Sequence, residues 1–296
     1  VLSSAIDKYI FVTVKKRFDR KLRIGYTQTE MVDEVSQIHH EMIREALLLT
    51  GVSHGIEVTT MGDIPSEGSG LGSSSTVTVG ALHALHTYLS NSVTMEQLAR
   101  EACDIEIGRL GKPIGIQDQY IAAYGNLRFF EFCPNGQVKV EKVILDTDLR
   151  RELNDRFMLF FTGISRKADS VLTEQKSNIK DRMNVLREIR DMAYQAKSDL
   201  QAGQFDAFGS LLHHSWELKK RMAGQISNGR IDEMYDAARR AGAIGGKITG
   251  AGGGGFILLC APHEKHQAIR QALSGLQELP FQLEPDGTKV IFNYRR

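Results

Sequence analysis

The stretch PSEGSGLGSSS at positions 65–75 places Gly68, Gly70 and Gly72 two residues apart and follows them with Ser73, Ser74 and Ser75. Glycines at this spacing open backbone angles closed to other residues and leave bare N–H groups that a ligand can approach. The text that follows, TVTVGALHALH, reads as a helix, and a helix start adds unpaired N–H donors and the positive end of a dipole. The chemistry these residues can do is anion binding, above all of phosphate. Two familiar phosphate loops are excluded: a Walker loop needs Lys after its last glycine, and a dinucleotide fingerprint needs Gly where Ser73 stands. A flexible linker is the alternative, but linkers do not usually feed directly into an amphipathic helix. The three serines either cap the helix or offer a hydroxyl to a phosphate-bound Mg²⁺.

A second cluster, GGKITGAGGGGFILLC at 245–260, satisfies G-x-G-x-x-G at Gly250, Gly252 and Gly255. It runs into the strand-like FILLC rather than a helix, so the dinucleotide reading fails its context test. A close backbone approach to a ligand or to the first loop fits better, with a glycine bulge at a strand start as the plain alternative. Between the clusters, Asp118 sits in GIQDQ, an apolar, glycine-containing turn where an unpaired carboxylate would be costly. Glu106 and Asp104 are equally good carboxylates by composition, and either could be an ordinary solvated helix residue. The pairs His39-His40 and His213-His214 and the spaced pair His83/His86 lack the three or four ligands zinc usually needs. Cys103, Cys133 and Cys260 lie far apart without a CxxC, which favours inert packing residues over a disulfide or zinc framework. Arg166 and Lys167 could meet a substrate phosphate, although surface solvation accounts for them as well.

The elements that must hold these residues are a mixture of strands and helices. Residues 9–14 and 22–26 read as strands, paired as a hairpin. Val35, Ile38, Met42, Ala46 and Leu49 recur at helical spacing up to Gly51. A strand at 55–60 leads into the first glycine stretch, which therefore joins a strand to a helix. Val77, Ala81, Leu85 and Leu89 form the apolar stripe of that helix. A further helix is expected over 95–108, then strands LRFFEF and VKVEKVIL around the turn signal Asn135-Gly136. A new unit opens with the strand at 156–163, continues with helices of which Leu186, Ile189, Ala193, Ala196 and Leu200 give the clearest stripe, and closes with a strand at 254–261, a helix over 263–276 and a strand at 288–294. The expectation is a mixed α+β protein in two domains, 1–150 and 151–296.

Composition sets the outer limits. The chain has 296 residues, 42% hydrophobic and 25% charged, enough for two medium domains. Its 37 basic and 36 acidic residues leave a formal charge of +1, so no chain-wide field for nucleic acid or an anionic membrane exists. No apolar run approaches the roughly 20 residues that span a bilayer, and the first residues lack the order of a signal peptide. A cytoplasmic protein with a small-molecule partner is expected.

With these residues in view, PSEGSGLGSSS resembles the P-x-x-x-G-L-G-S-S-A motif of the GHMP kinases, and KITGAGGGG resembles their C-terminal motif. The segments SSAIDKYIFVTV, DIEIGRLGKPIGIQDQYIAAYGNLRFF, TGISRKADSVLTEQ and HHSWELKKRMAGQISNGRIDEMYDAARRAGAIGGK are similar to the sugar-kinase branch that acts on heptose 7-phosphate and L-fucose. The resemblance covers nearly the whole chain. It implies an N-terminal α/β domain like ribosomal protein S5 and a C-terminal ferredoxin-like α+β domain. It also implies an ATP-dependent kinase that phosphorylates the anomeric hydroxyl of D-glycero-D-manno-heptose 7-phosphate to the 1,7-bisphosphate. Within it, Gly68, Ser69, Gly70, Leu71, Gly72, Ser73, Ser74 and Ser75, with Gly250, Ala251, Gly252 and Gly253, hold the ATP phosphates. Ser74 and Glu106 flank Mg²⁺, and Asp118 matches the catalytic base. A homodimer is compatible with the family. The family's first motif, R-x-P-x-R-[IV]-x-x-x-G-G-x-T-D, has no counterpart here, so the sugar side of the pocket is expected to be incomplete in these residues. An L-fucose or other hexose 1-kinase is the alternative within the family. A non-catalytic sugar or nucleotide sensor is the alternative of another class, against which the retention of both Asp118 and Glu106 speaks.

Overall fold

The computed structural model describes residues 1–64, 68–165 and 168–294. Among them the strands are β1 (Leu2–Ser4), β2 (Ile10–Lys16), β3 (Leu22–Gly25), β4 (Thr29–Val32), β5 (Ile56–Gly62), β6 (Leu127–Phe132), β7 (Val138–Lys142), β8 (Phe157–Phe161), β9 (Gly245–Ile248), β10 (Phe256–Cys260) and β11 (Gln277–Glu278). The helices are α1 (Glu41–Thr50), α2 (Ser73–Tyr88), α3 (Met95–Cys103), α4 (Gln117–Tyr124), α5 (Thr147–Arg156), α6 (Ala168–Ser177), α7 (Met183–Gln201), α8 (Phe205–Lys220), α9 (Gly229–Arg240) and α10 (His266–Ala272). This is the expected mixture of helix and sheet. None of these helices is long and apolar enough to cross a membrane.

Contacts divide the chain into two compact units: Val1–Asp7, Glu67–Leu71 and Leu127–Leu283 in the first, Lys8–Ser66, Gly72–Asn126 and Glu284–Arg296 in the second. A single cut near residue 150 groups the chain differently. The physical reason is pairing: β1, from the very start of the chain, lies antiparallel on β6, Leu2 opposite Phe129, and β6 pairs β7 in turn.

In the second unit the sheet runs β2-β5-β3-β4. The expected hairpin between the strands at 9–14 and 22–26 does not form, because β5 lies between them, antiparallel to β2 and parallel to β3. A parallel pair needs a crossover, and β4 with α1 supplies it. The helix read over 35–49 is accordingly broken: a 3₁₀ turn at Val35–Gln37 precedes α1, whose N-cap is His40 and whose left-handed C-cap is Gly51. Helix α2 packs on β2, α1, α3 and α4. It therefore buries Thr78, Val79 and Leu82 as well as the Val77, Ala81 and Leu85 stripe, whereas the sequence assigned it one apolar face. The strand expected at 288–294 is irregular chain, with Ile291, Phe292 and Tyr294 exposed.

The first unit holds a second antiparallel sheet, β11-β8-β10-β9, with Phe256 opposite Phe161 and Ile257 opposite Ile248. Its core joins Phe160, Trp216, Ile226, Tyr235, Ile257 and Leu259, all nearly inaccessible. Helix α8 lies so close on β9 that a Cβ at Gly245 would fall 1.9 Å from the Gly209 carbonyl oxygen.

Candidate active site

In the second unit, α2 starts at Gly72, the N-cap, with φ +75° and no capping side chain. The serines are thus inside the first turn rather than caps. With glycine at the cap, the helix end carries backbone donors and no side chain of its own. Against it lies Asp118: a Cβ built on Gly72 would stand 3.5 Å from the Asp118 Cγ and 3.7 Å from its Oδ2. Asp118 is in the first turn of α4 rather than in the turn read from the sequence, and its Oδ1 accepts from Gln117 Nε2 at 3.2 Å.

Glu106 reaches the same helix end from another direction. Helix α3 passes directly into a π-helical segment, Asp104–Arg109, a widened turn of the kind often found at functional sites. There Glu106 is wholly inaccessible. Its Oε2 accepts from Ser74 Oγ at 3.2 Å and Ser75 Oγ at 3.3 Å. Its Oε1 has no partner. Burial, the largest influence, raises the Glu106 carboxyl above its ordinary value; the charge of Lys112 opposes this most, followed by the side chains of Gln119, Thr78 and Ser75. Asp104, the other carboxylate on this stretch, turns outward and pairs with Arg109 at 2.9 Å. The choice between the two that composition left open is therefore made by burial.

In the first unit, residues 68–71 meet the second glycine cluster. A Cβ on Gly70 would stand 2.8 Å from the Thr249 carbonyl oxygen, and one on Gly250 would stand 2.7 Å from the Gly70 Cα. Thr249 Oγ1 donates to the Ser69 carbonyl at 3.3 Å. Gly253 N–H donates to the Ile226 carbonyl at 2.7 Å, Gln175 Nε2 to the Ala251 carbonyl at 3.0 Å, and Lys219 Nζ to the Gly250 carbonyl at 2.5 Å. The close approach expected of this cluster is made to the first loop.

The structure thus brings Gly72, Ser73, Ser74, Ser75, Glu106 and Asp118 together in one unit, and Gly68, Ser69, Gly70 and Leu71 with Gly250, Ala251, Gly252 and Gly253 in the other. Arg166 and Lys167 lie outside the described residues. The sequence reading missed Gln119, which is fully buried on α4, and the cations Lys112 and Lys219. Each histidine singled out earlier has a protein neighbour: His39 Nδ1 meets Glu30 at 3.1 Å, His83 meets Thr288 at 3.0 Å, and His86 meets Glu101 at 2.7 Å. His213 meets Tyr235 at 2.8 Å, His214 meets Glu188 at 2.7 Å, and His40 sets its ring edge-on to Tyr26. Among the described residues no cluster of three or more His, Cys, Asp or Glu could hold a metal ion. Burial pushes the Cys103 and Cys260 thiols up to about 12.

The family model for the GHMP kinases N terminal domain matches residues 31–126, and that for GHMP kinases C terminal matches residues 196–277. The chain is 30% identical to the D-glycero-alpha-D-manno-heptose 7-phosphate kinase of Campylobacter jejuni, over 96% of this chain and 89% of that protein. It is 28% identical to the bifunctional fucokinase/GDP-fucose pyrophosphorylase of Arabidopsis thaliana, over 78% of this chain but only 23% of that protein. Among solved structures, a D-glycero-D-manno-heptose 1-phosphate kinase from Bacteriodes thetaiotaomicron superposes with a TM-score of 0.81 and 26% identity, covering 99% of this chain and 90% of that one.

Proposed function

The chain belongs to the GHMP kinase family, phosphotransferases that act on an alcohol group with ATP as donor, and from that premise we propose that it phosphorylates the anomeric hydroxyl of D-glycero-D-manno-heptose 7-phosphate, giving the 1,7-bisphosphate. One observation carries the catalytic part: the N-terminus of α2 has an acid on each of two sides, Asp118 against Gly72 and Glu106 on the hydroxyls of Ser74 and Ser75. The heptose assignment is supported by the heptose phosphate kinases among the relatives.

In this reading residues 68–75 and 250–253 take the ATP phosphates with backbone N–H groups. Asp118 receives the proton of the sugar hydroxyl. The anomeric oxygen forms its bond to the γ-phosphorus while the bond from that phosphorus to the β–γ bridging oxygen breaks, and ADP leaves. Ser74 Oγ and Glu106 Oε2, two hard oxygen donors 3.2 Å apart at a helix N-terminus, fit Mg²⁺, which commonly takes only one or two protein groups and keeps waters and phosphates for the rest. When bound, Mg²⁺ supplies charge neutralisation at the phosphates.

The test is a panel of free and phosphorylated heptoses and hexoses, assayed for ATP consumption. Heptose 7-phosphate is expected to exceed L-fucose, galactose and mevalonate in kcat/KM. Equal or better turnover of L-fucose would move the substrate to the second reading, an L-fucose 1-kinase, which the likeness to the Arabidopsis fucokinase favours.

A further inference from the structure

Two side chains hold consecutive carbonyls of the turn at 250–253: Lys219, near the end of α8, donates to Gly250 at 2.5 Å, and Gln175 on α6 donates its Nε2 to Ala251 at 3.0 Å. In a planar trans peptide the carbonyl of one residue and the N–H of the next point in opposite directions. Holding the Ala251 carbonyl therefore fixes where the Gly252 N–H points. Gly253 N–H is spent on the Ile226 carbonyl at 2.7 Å, whereas the N–H groups of Ala251 and Gly252 meet no acceptor among the described residues. Gly252 is buried, and a buried N–H is almost always paired, so this donor is one that a ligand would satisfy. The backbone also changes hand here, with φ +62° at Gly250 and +101° at Gly252 and the ordinary negative φ at Ala251 between them. Such a change turns successive N–H groups toward an anion. Helix α6 has its own anchors: Glu174 Oε1 accepts from Gly224 N–H at 2.8 Å, Asn178 Nδ2 donates to the Met222 carbonyl at 2.9 Å, and Val171 is in the core. Loss of the Gln175 amide would leave all three in place.

We propose that Gln175 is a positioning residue for the phosphate-binding turn: by holding the Ala251 carbonyl it aims the Gly252 N–H at the ATP phosphates. The consequence for ATP rests on the reading of residues 250–253 given above; the contact with Ala251 does not.

Two measurements separate them. Protein labelled with ¹³C at the alanine carbonyl and ¹⁵N in glycine gives carbonyl-to-nitrogen correlations only from its Ala-Gly peptides, of which the chain has four, and Ala251→Ser removes the one at 251–252. In nucleotide-free protein, Gln175→Met, or Gln175→Asn should the first variant not fold, is expected to shift that correlation because the carbonyl loses its donor; an unmoved signal overturns the proposal. ATP added to the wild-type protein is expected to move the same signal. A wild-type signal that ATP leaves in place overturns the phosphate reading of this turn instead, and the Gln175→Met shift then decides the contact. In the second measurement ATP and adenosine are titrated calorimetrically. Gln175→Met is expected to bind ATP about 2- to 10-fold more weakly, the net worth of one hydrogen bond, and to bind adenosine, which has no phosphate, as the wild type does. Full ATP affinity in Gln175→Met overturns the positioning role, and so does an equal loss of affinity for adenosine, which marks a general loosening of the protein.

Discussion

Gly70 and Gly72 look alike in the sequence, two steps apart in one loop, and the structure predicts that replacing them has different consequences. Both have left-handed backbone, φ +70° and +75°, where an added Cβ costs about 1–2 kcal/mol. At Gly70 that Cβ would also stand 2.8 Å from the Thr249 carbonyl oxygen and 2.9 Å from its Oγ1. The oxygen is backbone and cannot swing aside, so overpacking adds about 1–3 kcal/mol. At Gly72 the nearest atom is the Asp118 Cγ at 3.5 Å, an ordinary contact. Gly70→Ala is thus expected to lose about 2–5 kcal/mol and Gly72→Ala about 1–2 kcal/mol. Denaturant unfolding of the nucleotide-free proteins measures the difference. Calorimetric titration with ATP supplies the other half: Gly72→Ala stays folded yet binds ATP more weakly, because its methyl group occupies the open end of α2. Equal stability of the two variants would refute the close approach of Gly70 to Thr249. Full ATP affinity in a folded Gly72→Ala protein would refute the assignment of the helix end to phosphate.

Asp118→Asn keeps the shape and removes the basic oxygen, so kcat is expected to fall by on the order of 10²- to 10⁴-fold with ATP binding little changed; a near-normal kcat would show that Asp118 is not the base. Glu106 is raised by burial, so between the ordinary carboxylate range and its folded value the native state holds a proton that the unfolded chain has released, and stability falls as pH rises through that window. Glu106→Gln removes this dependence, and unfolding curves that run parallel to wild type from pH 4 to 8 would contradict it. With Cys260 buried and its thiol pushed up to about 12, the native protein is expected to leave it unlabelled by a thiol reagent at pH 8, so rapid modification of Cys260 would be at odds with its burial.

What the sequence disclosed, it disclosed where a residue type answers a local backbone demand. Three glycines before a helix announce an open loop, and a strand ahead of them announces a strand-to-helix junction, here β5 to α2. Long-range partners were less legible. TKVIFNY has strand composition, but β-propensity is a preference for a half-buried, paired surface, and 288–294 pairs with no strand among the described residues. Likewise β2 and β3 are neighbours in the chain, yet β5 takes the place between them. The choice between Asp104 and Glu106 is the instructive case, since composition left it open and periodicity had the signal to close it. Leu98, Ala99, Ala102 and Ile105 are the buried apolar positions of α3 and its extension, and Glu106 lies four residues after Ala102, on the same face. A carboxylate that falls in phase with an apolar stripe must be brought inside with it. Asp104 falls out of phase and goes to Arg109 at the surface. The buried acid therefore follows from helical phase, while the hydroxyls of Ser74 and Ser75 that meet it come from the other side of the glycine loop, where only the fold could bring them.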